Sequence, residues 1–363
     1  MVTIEPVQQH DTRIPYTLTR LGVVMSPEPG NEFEVEGVLN PASGRGPDGE
    51  LYLLPRLVAR GNVSRVGLAR VLIADGVPVG VERQGVVLSP DQGWERGHDH
   101  AGVEDPRTTW VPRLGLHLMT YVAYGPLGPR LALACSADLR RWRRLGPVHF
   151  GYQPDTNTDL NLFPNKDAVF FPAPVPGPDG QLSYAMLHRP MWDLSWVRPG
   201  AGVHLPAQLG DERPGIWVSF VPAAEVEADI RALVRMREHR LVALPEHQWE
   251  SLKIGAGPPP IRVDEGWLVL HHGVDGELDE GFVLQQGTTY SAGAMLLDGR
   301  DVTRVLARSE SPLLAPETED ERTGTVSNVV FPTAIEEING VRYVFYGMAD
   351  ARIGVARLQR VQP

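Results

Sequence analysis

The stretch Asn328-Val-Val-Phe-Pro332, followed by Val341-Arg-Tyr-Val-Phe-Tyr346 and Ile353-Gly-Val-Ala356, decides how this chain is read. A polar, Pro-containing opening enters one strand, and two further apolar runs return. Short runs of β-branched and aromatic residues bounded by Gly, Pro and Asn are strand signals. The same unit can be traced four more times. Its openings are Asn40-Pro41, Glu104-Asp105-Pro106, Asn165-Lys166-Asp167 and Pro258-Pro259-Pro260, with aromatic or His-bearing returns at 51–56, 116–124, 182–189 and 267–272. Third apolar runs follow at 66–69, 131–135, 216–220 and 291–295. Five such units of roughly 60 to 90 residues suit the blades of a propeller, whose inner strands converge on a central channel. Five unrelated hairpins would show the same apolar runs, but would not need the recurring opening. The expected fold is therefore all-β, a five-bladed β-propeller forming a single domain over 1–363.

One segment departs from the strand pattern. Residues 223–240 place Val226, Ile230, Leu233, Val234 and Arg237 at helical spacing with charges between them, which predicts one inserted amphipathic helix. It is expected to pack on the propeller within the chain, a contact in a homo-oligomer being the alternative.

Composition narrows the function. With 42% hydrophobic and 22% charged residues, the 363-residue chain reads as an ordinary soluble globular protein. Its 38 Gly and 33 Pro show no collagen period and punctuate short strands. A formal charge of −11 argues against a nucleic-acid partner, whose footprint would be basic, so any anion site must be locally basic. The single cysteine, Cys135, excludes an intrachain disulfide and a multi-cysteine zinc site, and fits a reducing cytoplasm. The start, Met1-Val-Thr-Ile-Glu-Pro6, lacks a basic and then apolar leader, and no apolar run approaches ~18 residues. Neither export nor a membrane span is expected.

Chemistry is sought where the units open. Asp105 lies in Gly102-Val-Glu-Asp-Pro-Arg-Thr108, where Pro106 should hold its backbone extended and Arg107 supplies a cation. A turn or capping role for this Asp is the plain alternative. Arg56, Arg189, Lys253 and His272 each end a return strand or flank an opening; together they would make a positive pocket for a small dianion, and separately they would be solvated surface charges. The run Trp249-Glu-Ser-Leu-Lys-Ile-Gly-Ala-Gly-Pro-Pro-Pro-Ile261 combines permissive Gly with rigid Pro, so an exposed, stiff loop presenting Lys253 is expected. Metal binding has little support: His98-Asp-His100 is a loop pair that solvent can satisfy, and His271-His272 alternate faces of a strand. No metal and no cofactor are expected. The chain also lacks Gly-x-Gly-x-x-Gly, a phosphate loop and a Gly-x-Ser-x-Gly elbow.

Several ordered stretches resemble glycoside hydrolase family 130, the β-mannoside phosphorylases and related hydrolases. They are Val38-Leu-Asn-Pro41, Tyr52-Leu-Leu-Pro-Arg56, Gly102-Val-Glu-Asp-Pro-Arg-Thr108, Asn165-Lys-Asp-Ala168, Leu187-His-Arg-Pro190, the Leu252–Ile261 stretch, His271-His-Gly-Val274, Tyr290-Ser-Ala-Gly-Ala-Met-Leu-Leu-Asp298, and Asn328-Val-Val-Phe-Pro332 with Tyr346-Gly-Met-Ala-Asp350. The resemblance implies a five-bladed propeller with a sugar in its axial pocket. It implies Asp105 as general acid, protonating the glycosidic oxygen through the sugar 3-hydroxyl, and Arg56, Arg189, Lys253 and His272 as the phosphate-binding set. Asn40, Asp167, Tyr290 and Asp350 would hold the sugar.

An inverting hydrolase needs a second carboxylate to activate water, whereas phosphate is already a nucleophile and needs cations to collect it. One acid with four basic groups therefore fits transfer of a β-mannosyl group to inorganic phosphate, giving α-mannose 1-phosphate with inversion. The rivals are an inverting β-mannosidase of the same family and a non-catalytic glycan-binding propeller, which would need neither the acid nor the cations.

Overall fold

The computed structural model describes residues 13–97, 99–196, 198–277 and 287–361. Strand β1 (Tyr16–Met25) precedes the first blade, which comprises β2 (Gly37–Arg45), β3 (Leu51–Ala59), β4 (Val63–Ala74) and β5 (Val77–Leu88). The second blade holds β6 (Ala101–Val111), β7 (Leu116–Gly125), β8 (Gly128–Ser136) and β9 (Arg143–Pro147). A short β10 (His149–Phe150) leads to the third, made of β11 (Asn165–Phe170), β13 (Leu182–Pro190), β14 (Ile216–Pro222) and β15 (Arg235–Ala243), with β12 (Val175–Pro176) beside β13. The fourth blade combines β16 (Lys253–Ala256) and β17 (Ile261–Val263) with β18 (Gly266–Gly276), β19 (Thr288–Leu297) and β20 (Val305–Arg308). The fifth is β21 (Val330–Ile338), β22 (Val341–Met348) and β23 (Arg352–Arg360), completed on its outer edge by β1.

Burial follows this order. Strands β2 and β3 are almost continuously buried, because other blades cover both faces, whereas the outer β5 mixes exposed and buried positions. Five apolar clusters fill the clefts between consecutive blades. Leu54, Val66, Val103 and Met119 join blades one and two, Val122, Phe170 and Tyr184 join two and three, and Leu187, Val218, Val269 and Met295 join three and four. Leu270, Ala294 and Tyr346 join four and five; Val38, Leu53, Phe345 and Val355 join five to one and close the ring. Blades one and two also touch through a short parallel pairing of Val63 with Ala101 and Ser64 with Gly102. Only glycine fits at 102: its φ is +120° and a Cβ would strike the Ser64 carbonyl.

Four blades brace their entry loops in the same way. Buried Glu34, Glu95, Glu250 and Glu321 each accept main-chain N–H groups of the loop, from Glu28, from Gln92, from Glu246 and His247, and from Glu317 and Thr318. Each also pairs with an arginine on the outer strand of its own blade: Arg83, Arg144, Arg308 and Arg20. Tyr121 and Tyr346 add hydroxyl donors to Glu95 and Glu321. Blade three does this differently, with Gln153 accepting the His239 N–H at 2.9 Å.

Two expectations need correction. The helical reading of 223–240 holds only in part: α1 spans Ala223–Ala228, a 3-10 turn spans Ile230–Val234, and Arg235 already begins strand β15. Pairing of β15 with β14 overrides the helical periodicity, while Ala223, Val226, Ala232 and Leu233 pack into the cleft between blades two and three. The Gly-Pro run near 255–260 is no exposed loop. It supplies the inner strand β16, with Ile254, Gly255, Ala256 and Gly257 buried.

Candidate active site

Three inner strands share one irregularity. Asn40, Asp105 and Asp167 have φ of 42°, 45° and 57°, and the ladder register slips at each, between Leu39 and Ala42, Glu104 and Arg107, and Lys166 and Val169. Asn and Asp tolerate this left-handed conformation better than most residues, and a bulge re-aims the side chain it carries. The extended backbone expected of Asp105 is thus replaced by a bulge, in which its side-chain bonds override the preference imposed by Pro106. The openings read as turns are kinks within inner strands.

At Asp105 the bulge builds an acid end. Its Oδ1 accepts from Asn40 Nδ2 at 2.9 Å and from Arg56 Nη1 at 3.1 Å. Burial opposes its ionisation, but Arg56, Lys166, Arg107 and the Asn40 bond hold the carboxyl below its usual range. Arg56 also donates to Ser64 at 2.8 Å, Asn62 at 3.1 Å and Glu104 at 2.8 Å. Its partners all lie on blades one and two, so the structure places Arg56 beside the acid and not in direct contact with the other three predicted basic residues.

Two of those three, Arg189 and His272, gather with Arg107 around Asp167. Arg189 Nε donates to Asp167 Oδ2 at 2.6 Å, His272 Nε2 lies 3.5 Å from the same oxygen, and Arg107 Nη2 bonds Oδ1 at 3.2 Å. These neighbours keep the Asp167 carboxyl below its usual range in spite of burial. Asp167, expected at the sugar, therefore stands among the cations. Arg189 uses only Nε for it, leaving the two outer nitrogens of its fork without a hydrogen bond among the described residues. Lys253 lies 5.3 Å from the Tyr290 ring centroid, and burial together with Arg189 lowers its ammonium to about 7, with Asp167 opposing. His272 is fully buried, held neutral by that burial, and packs 4.3 Å from Phe331.

Tyr290 completes an aromatic wall with His272 and Phe331. Asp350 occupies the turn between β22 and β23, at φ 48°, and burial raises its carboxyl to about 6 with Arg56 opposing. His98 of the weak metal pair lies outside the described residues; His100 Nδ1 faces Asn62 at 3.1 Å.

The sequence reading gave no site role to several participants, Arg107 having been read only as a cation beside Asp105. Glu104 pairs with Arg56 and, at 3.6 Å, with Lys166, which sits 5.7 Å from the Tyr124 ring. Arg107 spans the axis to the Gly257 carbonyl at 3.0 Å. All three flank residues that were singled out, and adjacency to a bulge was the available signal. Gly255 is the other: a Cβ there would collide with Asp167 Oδ2 and His272. Gly255→Ala is expected to lower stability by roughly 1–3 kcal/mol, checked by thermal melting.

A ring of five blades, a buried carboxylate on one axial bulge and basic residues around another define a propeller whose pocket is acidic at one end and basic at the other. Comparison with known proteins gives the family. The sequence profile of glycoside hydrolase family 130, described as β-1,4-mannooligosaccharide phosphorylase, matches residues 56–361. A β-1,2-mannobiose phosphorylase of Thermoanaerobacter sp. (strain X514) is 31% identical over 274 residues, covering 75% of this chain and 69% of the relative. A 1,2-β-oligomannan phosphorylase of the same organism is 29% identical over 346 residues, 93% of this chain and 94% of the relative. The solved β-1,2-mannobiose phosphorylase of Listeria innocua, in complex with β-1,2-mannobiose, superposes with a TM-score of 0.67 at 21% identity, covering 95% of this chain and 97% of its own. The chain belongs to glycoside hydrolase family 130, a family of enzymes acting on glycosidic bonds.

Proposed function

We propose that the chain is an inverting β-mannoside phosphorylase, cleaving a β-mannosidic bond with inorganic phosphate to release α-mannose 1-phosphate, with no metal or cofactor. The observation that carries this reading is the pair Arg189 and His272 held at Asp167, with Lys253 beside the neighbouring Tyr290 ring and donors uncommitted to other described residues. A water-using enzyme has no need to bury such a cluster, whereas a phosphate dianion needs it for collection and orientation. The relatives that span most of the chain act by name on β-1,2-mannosides, which makes β-1,2-mannobiose the first substrate to test and β-1,4-mannooligosaccharides the second. A cytoplasmic site of action accords with the unpaired, buried Cys135.

In this mechanism a phosphate oxygen forms the new bond to the anomeric carbon as the glycosidic bond breaks on the other face. The leaving oxygen takes a proton that Asp105 supplies through the sugar 3-hydroxyl. In the sugar-free pocket Asp105 is held ionised by its cations. Bound sugar removes water and bound phosphate adds negative charge, and both push the carboxyl toward its protonated form. Asn40 and Arg56 keep it aimed throughout.

The test is cleavage of β-1,2-mannobiose with and without phosphate, following the product by phosphorus NMR. Phosphate-dependent appearance of α-mannose 1-phosphate is expected; equal cleavage in its absence would instead support a hydrolase, for which Asp350, raised to about 6, is the available second carboxylate. The pH profile gives a separate check. Lys253 is cationic below about 7 and loses its charge above it, so KM for phosphate should climb as pH rises through 7. Lys253→Arg keeps its charge and should flatten that climb. Phosphate's own ionisation cancels when the two enzymes are compared at each pH.

A further inference from the structure

The third blade, which lacks the glutamate brace of the other four, carries a buried chain of neutral polar groups. Asn165 Nδ2 lies 3.0 Å from His188 Nδ1, His188 Nε2 lies 2.8 Å from Ser219 Oγ, Ser219 Oγ lies 2.8 Å from His239 Nδ1, and His239 Nε2 lies 2.9 Å from the Gly151 carbonyl. All four side chains are at most 2% exposed. One group sets the direction of every bond. The Gly151 carbonyl can only accept, so His239 carries its proton on Nε2 and accepts at Nδ1 from the Ser219 hydroxyl. Ser219 must then accept from His188 Nε2–H, and His188 Nδ1 must accept from the Asn165 amide. Burial keeps both imidazoles uncharged, so this order persists at neutral pH.

The chain ends at an irregular joint of the backbone ladder. Strand β11 meets β13 at Asn165 opposite Pro190 and at Lys166 opposite Arg189, and then slips until Val169 meets Leu187. Just outside the joint the Met191 N–H bonds the Pro164 carbonyl at 2.9 Å, and the Asn165 side chain adds a second tie between the same two strands by reaching His188. Lys166, Asp167 and Arg189 emerge immediately beside this joint.

We propose that the chain Asn165–His188–Ser219–His239–Gly151 is a positioning device for the anion end of the pocket, fixing the β11–β13 joint so that Asp167 and Arg189 stand in register for phosphate. The inference rests on phosphate being the attacking group. Ser219 is fully buried between His188 and His239, and its removal interrupts the chain at its centre.

In Ser219→Ala, KM for phosphate is expected to rise about tenfold, the weight of one hydrogen bond, with kcat and KM for the mannoside within about twofold. Tyr346→Phe, which removes the hydroxyl bond to Glu321 in the fifth blade, serves as the control for a general loss of stability and should leave KM for phosphate unchanged. Nitrogen-15 NMR of the unaltered protein should show the Nε2–H tautomer at both His188 and His239. An unchanged phosphate KM in folded Ser219→Ala, an equal rise in Tyr346→Phe, or an Nδ1–H tautomer at either histidine would overturn the proposal. Calorimetric affinity for inorganic phosphate is measured alongside, without turnover. Phosphate-independent cleavage by the unaltered enzyme would therefore count against the phosphorylase reading, whereas the tautomers and the calorimetric shift report on the positioning chain itself.

Discussion

Asp105→Asn should reduce turnover by about 10²–10⁴-fold, the range a positioned general acid supplies, while leaving sugar affinity measurable by calorimetry. Asparagine tolerates the left-handed backbone that position 105 requires, and its amide oxygen can still accept from Asn40 and Arg56. The variant should therefore fold and bind with the proton alone removed from the reaction. Turnover within tenfold of the unaltered enzyme would reject the assigned role and direct attention to Asp350.

The second large effect is expected at Arg189. Glutamine there removes both the ion pair with Asp167 and the open guanidinium fork. Hydrogen bonds to charged groups are worth about 1.5–3 kcal/mol, so KM for phosphate should rise by roughly 10- to 150-fold. KM for the mannoside should hardly move, because the sugar is held toward Asn40, Asp105 and Tyr290 in the proposed geometry. Steady-state kinetics with either substrate varied separates the two. A variant whose mannoside KM rises while its phosphate KM stays fixed would place Arg189 at the sugar instead.

The blade count was legible in the sequence because each unit must bury an apolar strand pair between polar turns, and that requirement repeats five times. Asp105 and the basic residues could be picked out because their motifs stay contiguous in the chain, while the roles given to them came from the family resemblance. What was not legible is conformational or long-range. Nothing local marks Asn40, Asp105 and Asp167 as left-handed bulges, since their neighbours read as ordinary turn residues. The division of the basic residues was hidden for a similar reason. Arg56 is claimed by Glu104, Asn62 and Ser64 through the meeting of strands β3, β4 and β6, a pairing no spacing reveals. The 223–240 segment shows the opposite failure: helical periodicity there was real, but β15 gained more from pairing with β14 than from continuing the helix.

The buried glutamates of four blades have a bearing on how such an enzyme can diversify. Because Glu34, Glu95, Glu250 and Glu321 each anchor a connection to an arginine of the same blade, four of the five blades secure their entry loops independently of their neighbours. Descendants of an ancestral ring could lengthen, shorten or replace the segments above the pocket one at a time, drifting toward new leaving sugars while inheriting the reaction centre intact.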